Sequence, residues 1–570
     1  MIPQYTWTRV QQEVLKALKA HIGKGYSPTI DELTTPPDSS MGEIAYPCFV
    51  LAKGMGRNPT ELATELSAKI GPKGMIEMVT SSGPYVNVRL KLDVFAGEVL
   101  KEIQLSGERY GHQNIGKGRR VMVEYANPNT HKDIHVGHVR NFVVGFLTIQ
   151  LLRTVGYEVV ATSYINDLGN NVARCIWSMN ALHEGERPEP GHEMEFLQKL
   201  YVDAGTVAET DEEARTQISE IQRTLETGRG PWQKAWKESR AWSIDALQAV
   251  FKEFRLPIDR QYYESDLIDD TKKIVRELQE QGIAKLDDGA IIVDLSDEDL
   301  GANLLVKSDG TLLYNAKDLA LAVRKSSDYA LDRSLIVVDE RQSLAMRQLF
   351  ATLKRMGVHI PYEHLSYNFV TLPEGAMSSR KGTIVRYDAL RNQLQHVAAD
   401  ETQERHADWS QARVHEAAKA ISHAALVYAM AKQDPKKDLT FCIEEAVAFE
   451  GATGPYLLYT TSRISSLLAK ASMEPAMHDG IFGDAERGLV RQLALYPSVV
   501  ATAAMRLALS DIPNYAFGLA QTFSKYYNDV RIIDDAKPAA SATRLALCRA
   551  ILITLSHALR MMGLEPIEEM

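Results

Sequence analysis

Between Arg120 and Thr154 the chain passes from a compact β-favouring run, VMVEYA (121–126), through the turn-rich NPNTH into a helical pattern that begins at about Gly137. A strand whose exit loop opens straight into a helix is the first unit of an α/β nucleotide-binding sheet. Later short apolar stretches fit the same sheet: VVATSYI (159–165), SLIVVD (334–339) and YNFVTL (367–372). The rest of the chain must be arranged around this core.

Upstream, residues 1 to about 110 alternate helical stretches with polar loops. The four-residue recurrence of Leu62, Leu66 and Ile70 predicts a helix over 60–70, and YVNVRL predicts a strand over 85–90. A charged, helix-favouring insertion fills roughly 180–300, with runs such as TDEEARTQISEIQRTLE that read as solvated helical faces. From about 388 the chain is almost wholly helical. The boundaries expected are therefore 1–112, 113–387 and 388–570.

Composition excludes little. The formal charge of −10 does not rule out RNA, because a local basic path can coexist with net acidity. Cys48, Cys175, Cys442 and Cys548 lie far apart without a CxxC pair, which argues against a disulfide framework and a cysteine-rich zinc site; they read as small buried hydrophobes. No N-terminal signal core stands out, and no uncharged apolar run approaches about 18 residues. The expectation is a cytoplasmic protein without a membrane partner.

Two motif matches fail on inspection. Gly111 to Gly118 has P-loop spacing, but Gly118 replaces the metal-holding hydroxyl and the loop precedes a strand. His192-Glu193 opens like a zinc-protease motif, yet Phe196 stands where the second histidine belongs.

The densest chemistry lies between Val123 and His138. His131, His135 and His138 have i, i+4, i+7 spacing, which would put a metal on one helical face, although Asn127-Pro128-Asn129 breaks a helix just upstream. A purely structural role is a second reading. The third is an ATP site at a helix N-terminus, where Gly137 lets adenine approach the backbone and the imidazoles donate to phosphate.

His135-Val-Gly137-His138 resembles the HIGH signature of class I aminoacyl-tRNA synthetases, which nucleotidylyltransferases share. A second segment, Met377-Ser378-Ser379-Arg380-Lys381-Gly382-Thr383, follows a strand and the turn Pro373-Glu-Gly. A cationic loop of small residues can close over a triphosphate and stabilise departing pyrophosphate. It resembles the KMSKS loop in its MSxRKG form. Ala376 and Ser379 stand where the family's two lysines usually stand, and the resemblance implies that Lys132 supplies missing charge. It further implies ATP contacts from His135, Gly137, His138, Met377 and Ser378. Catalytic roles would fall to His135, His138, Lys132, Arg380 and Lys381, with Mg²⁺ accompanying ATP and no resident metal.

A guanidinium substrate needs paired carboxylate acceptors. Tyr314 and Asp318 are four apart and share a face if helical, and GANLLVKSDGTLLYNAKDLALA resembles the arginyl enzymes' side-chain-binding segment. Glu124, Asn129, His135 and Gln342 match family positions that contact the amino acid, and Glu264 is a looser match. The N-terminal stretches MGEIAYPCFVLAKGMGRNPTELATEL and SSGPYVNVRL look like the arginyl enzymes' tRNA-elbow domain. FEGATGPYLLYTTSRISSLL and FSKYYNDVRII look like a DALR-type anticodon domain, where Tyr459 and Arg463 share a helical face and offer a stacking platform for unpaired bases.

The resemblance thus implies an α/β Rossmann-type class I catalytic domain with an α+β N-terminal domain and an all-α anticodon-binding C-terminal domain. Its reaction would be ATP-driven arginyl-adenylate formation and transfer to tRNA(Arg), by a monomer without an editing domain. Two rivals remain: another HIGH-type adenylate-forming enzyme, and a non-catalytic RNA-binding relative.

Overall fold

The computed structural model describes residues 5–22, 26–371, 373 and 386–570. The chain divides into two compact units. One is continuous, from Ile115 to Val447; the other combines the residues up to Asn114 with those from Ala448 onward.

The continuous unit is built on a parallel sheet of β1 (Arg120–Glu124), β2 (Glu158–Ile165), β3 (Arg260–Tyr263), β4 (Arg333–Asp339) and β5 (Tyr362–Tyr367), in the spatial order β3-β2-β1-β4-β5. Val121, Met122 and Val123 of the central strand are wholly buried, as expected where helices cover both faces. Strand order reverses between β1 and β4, which opens a crevice at their carboxyl ends. Asn141 stitches this point: its Oδ1 accepts the Ala126 N–H at 2.7 Å and its Nδ2 donates to the Val337 carbonyl at 2.7 Å. Helix α1 (Val136–Thr154) packs so closely that a Cβ on Gly145 would lie 2.1 Å from the Tyr125 ring, so only glycine fits.

Two expectations change here. YNFVTL does not join the sheet as a strand: only Tyr367 belongs to β5, while Val370–Thr371 turns away to pair with Leu439–Thr440. β3, four residues of mostly polar character at the sheet edge, lies inside the insertion and had no period to betray it.

Helix α2 (Asn170–Ala181) follows β2, and the insertion supplies α3 (Glu212–Glu226) with Asp211 as its N-cap. The run read as solvated faces has one buried face. Ala214, Ile218, Ile221 and Leu225 recur at helical spacing and join one apolar cluster with Leu312, Ala316 and Leu319. The insertion also carries an antiparallel sheet of Lys285–Asp287, Ala290–Asp294 and Ala302–Val306. Helix α4 (Tyr314–Asp328) leads back to β4, and the helices Tyr387–Arg405 and Gln411–Ala431 complete this unit.

In the other unit the helix Pro59–Lys69 and the strand Tyr85–Leu90 stand where periodicity placed them. The helices Gly454–Lys470, Asp484–Arg506, Asp511–Asp529 and Pro538–Met561 form its second half. A buried ion pair joins the halves: Arg487 Nη1 meets Glu43 Oε1 at 2.5 Å and the Leu90 carbonyl at 3.1 Å. Pro538–Met561 is long and apolar enough by composition to cross a membrane, but most of that stretch is buried inside the unit. Cys48, Cys175 and Cys548 are buried, whereas Cys442 is partly exposed, with its thiol 3.1 Å from Glu444.

Candidate active site

The first turn of α1 fixes the two histidines through their backbone neighbours. His135 is the N-cap: its Nδ1 accepts the Gly137 N–H at 3.1 Å, and the His135 N–H donates to His138 Nδ1 at 3.1 Å. The rings lie side by side with centroids 3.8 Å apart and planes tilted by 36°. Because both Nδ1 atoms accept, each neutral ring carries its proton on Nε2 and has one donor to spare. Burial pushes His135 down to about 4, with Lys132 and Arg341 adding to the effect; burial, His135 and Lys132 push His138 well below its usual range. Both are uncharged donors at neutral pH. A Cβ on Gly137 would sit 3.0 Å from the His135 ring, so the room this glycine leaves is taken by the imidazole.

His131 does not share this face. It stands outside α1 at φ +60°, fully buried, with Nε2 2.8 Å from Ser239 Oγ and Nδ1 3.0 Å from Thr130 Oγ1. The metal spacing read from the three histidines therefore has no helix to act on. Among the described residues no group of three or more His, Cys, Asp or Glu is arranged to hold a metal.

Lys132 is half-buried, with its ammonium 5.8 Å from the Tyr201 ring; burial and neighbouring Arg174 lower its pKa. Arg341 pairs with Asp339 at 2.8 Å and lies 4.0 Å over the Phe369 ring. Met377, Ser378, Arg380 and Lys381 lie outside the described residues. The segments flanking them are tied to the start of α1. Fully buried Arg140 donates to the carbonyls of Asn368 (3.0 Å) and Phe369 (2.9 Å), and on the far side Arg386 bridges His135 while Tyr387 N–H donates to Ile134 O at 2.8 Å.

At the ends of β2 and β3 the chemistry inverts from donors to acceptors. Tyr314 and Asp318 occupy the first turns of α4, and a Cβ on Gly169 (φ +101°) would lie 3.7 Å from the Tyr314 hydroxyl. Buried Glu264 pairs through Oε1 with Lys317, while its Oε2 has no hydrogen-bond partner among the described residues. The buried Tyr164 hydroxyl is likewise unsatisfied. Asp318 makes no hydrogen bond or ion pair among the described residues; burial, then the nearby Glu264 carboxylate, push it up to about 7 against the pull of Lys317. Glu264 Oε2 and the Tyr164 hydroxyl are buried and unsatisfied, and partly exposed Asp318 lies with them, so the cluster suits a ligand rich in donors.

Glu124, at the end of β1, is buried with Oε2 against Lys325 and Oε1 accepting from Asn127 at 2.7 Å. The chain thus already supplies it with a cation. Asn129 runs beside Asn166, just past β2, and Gln342 is exposed one residue after Arg341.

The family model described as the catalytic domain of class I tRNA synthetases (R) matches residues 99–442. An arginine–tRNA ligase from Bdellovibrio bacteriovorus is 34% identical, covering 97% of this chain and 98% of its own. The chain belongs to the class I arginyl-tRNA synthetase family. Further models, for the arginyl tRNA synthetase N-terminal domain and the DALR anticodon-binding domain, match residues 8–90 and 457–570. A relative from Treponema pallidum, also an arginine–tRNA ligase, is 32% identical over 94% of both chains. In three dimensions the fold matches Thermus thermophilus arginyl-tRNA synthetase with a TM-score of 0.81 at 24% identity, covering 99% of this chain and 100% of that one.

In the DALR-type region, Tyr459 and Arg463 lie on one face of the helix Gly454–Lys470. The Arg463 guanidinium is 4.6 Å over the Tyr459 ring and 5.1 Å from that of Tyr527, with Nη2 2.6 Å from the Tyr459 hydroxyl. Several residues of the crevice gave no warning in the sequence: Tyr164, Lys325 and Arg341. Arg140 and Lys317 did carry a signal, the first as a charge inside an otherwise apolar helix and the second as a cation between Tyr314 and Asp318.

Proposed function

We propose that the chain is an arginine–tRNA ligase whose crevice holds ATP at the start of α1 and the arginine side chain at the start of α4. The observation that carries the reading is the set of unpaired acceptors: Asp318, Glu264 Oε2 and the Tyr164 hydroxyl. A guanidinium has five N–H donors in a planar fork and suits such a set, whereas a neutral side chain would leave it unsatisfied. Family membership supports ATP as the second substrate, and the magnesium ion belongs to that substrate.

The arginine carboxylate attacks the α-phosphorus of ATP, the bond to the bridging oxygen breaks, and pyrophosphate leaves with its electron pair. The enzyme supplies position and neutralisation. His135 and His138 offer Nε2–H donors to the phosphates, Lys132 adds positive charge beside them, and the loop's resemblance to the KMSKS signature implies that Arg380 and Lys381, with Met377 and Ser378, serve the same nucleotide. A ribose hydroxyl at the tRNA terminus then attacks the arginyl carbonyl and releases AMP. Asn129, Gln342 and Glu124 line the route for the amino acid's remaining groups, and Tyr459 with Arg463 stacks unpaired anticodon bases. Discrimination by buried carboxylates reaches about 10⁴ without a second sieve, so no editing step is needed. We place the enzyme in the cytoplasm as a monomer, which sedimentation would check.

Pyrophosphate exchange across all twenty amino acids, with and without total tRNA, tests the reading. Exchange with arginine alone is expected. Exchange with another amino acid would discard the pocket, and none under any condition would favour a non-catalytic RNA-binding relative.

A further inference from the structure

Helix α3 of the insertion ends on Glu226, and a carboxylate is the charge least favoured at the negative end of a helix dipole. Its side chain is nevertheless only 10% exposed, with Oε1 accepting a hydrogen bond from Lys317 Nζ at 3.0 Å. The same ammonium, on a side chain 4% exposed, donates to Glu264 Oε1. Lys317 therefore sits between two carboxylates, one at the end of α3 and one at the end of β3. The neighbouring carboxylate on α4, Asp318, is left unpartnered among the described residues. The α3 end is held there by Ile221 and Leu225, which share an apolar cluster with Ala316 and Leu319 of α4.

We propose that Glu226 is a positioning residue for the amino-acid pocket: it draws the Lys317 ammonium away from Asp318 and keeps that carboxylate open to the incoming guanidinium. This rests on the arginine reading of the pocket. A buried ammonium has three donors and seeks acceptors. With Glu226 neutralised, Lys317 keeps Glu264 and takes Asp318, one residue along, as its second acceptor. The substrate cation must then displace an intramolecular rival. Helix α3 in this way sets arginine affinity without touching arginine.

The test is arginine-dependent pyrophosphate exchange by the full chain in the presence of tRNA. E226Q is expected to raise the KM for arginine about tenfold, within the coupling range of residues in contact, while the KM for ATP and kcat stay within about twofold. Adding K317M removes the rival ammonium and is expected to bring the arginine KM back to within about threefold of wild type. A mere counter-ion role predicts the opposite, a double variant at least as impaired as E226Q, and that result overturns the proposal. E226D, with the charge one methylene shorter, covers the case in which E226Q does not fold: a rise of about threefold for arginine alone supports the proposal and no rise overturns it. Wild-type chain without arginine-dependent exchange refutes the pocket and the proposal together, whereas an active wild type with an unmoved E226Q KM refutes the proposal alone.

Discussion

At the start of α1, His135 and His138 each accept a backbone N–H through one ring nitrogen and keep the other as a donor. At the start of α4, Asp318 accepts from no described residue, and Glu264 and Tyr164 each keep an oxygen unsatisfied. Burial acts on both places in opposite senses: it drives the imidazoles down and the carboxyls up. The donor end uses the chain itself to complete its hydrogen bonds, while the acceptor end waits for a ligand. In the proposed reading, phosphate recognition is preorganised by a helix cap, and side-chain recognition by acceptors that a cation would satisfy.

The contrast can be broken most sharply at Asp318. D318N removes the unpaired charge without changing size, and kcat/KM for arginine in exchange should fall about 10³-fold, the scale of a buried cation losing its partner. A loss under tenfold would place the guanidinium elsewhere. At the donor end, H135N retains an acceptor that can cap α1 but lacks the Nε2 donor. Single-turnover adenylate formation should slow about 10²-fold with the helical circular dichroism unchanged. Undiminished turnover would mean that His135 serves only the cap.

Acidity sharpens the comparison further. Asp318 must ionise to bind a cation and does so at about 7 in the empty pocket, so kcat/KM for arginine should drop about tenfold per pH unit below that value. Protein in which D318N leaves this limb in place would refute the assignment. The stability sign follows from the same shift: between the ordinary 3.8 and about 7 the folded state holds a proton that the unfolded chain releases, so this group's contribution falls as pH rises. The histidines behave conversely. His135 stays neutral down to about 4 when folded but protonates near 6.5 when unfolded, so stability is lost on acidification through that window. The smallest effect belongs to K132A, a partly solvated charge beside the histidines, with about a fivefold loss in adenylate formation; a change within about twofold would remove Lys132 from the mechanism.

Much of the fold was legible because its signals are local. The β1–α1 unit shows as an apolar run, a Pro-bearing turn and a helical period, and Tyr314 and Asp318 betray their shared face by spacing alone. β3 was hidden because four polar residues at a sheet edge have no period, and α3's buried face because TDEEARTQISEIQRTLE is dominated by charge. Partners distant in sequence were invisible in principle: Lys325 on Glu124 and Glu226 on Lys317 join positions that only the fold brings together. The same blindness made His131 look like a ligand until Ser239 and Ser243 were seen to hold it.

The most direct test of a cation-waiting pocket is the ratio of kcat/KM for arginine to that for citrulline, its neutral near-isostere, measured in pyrophosphate exchange with wild type and D318N. The account predicts a wild-type ratio of about 10⁴ or more, collapsing at least about a hundredfold in D318N. A ratio that survives the substitution unchanged would show that Asp318 does not read the guanidinium.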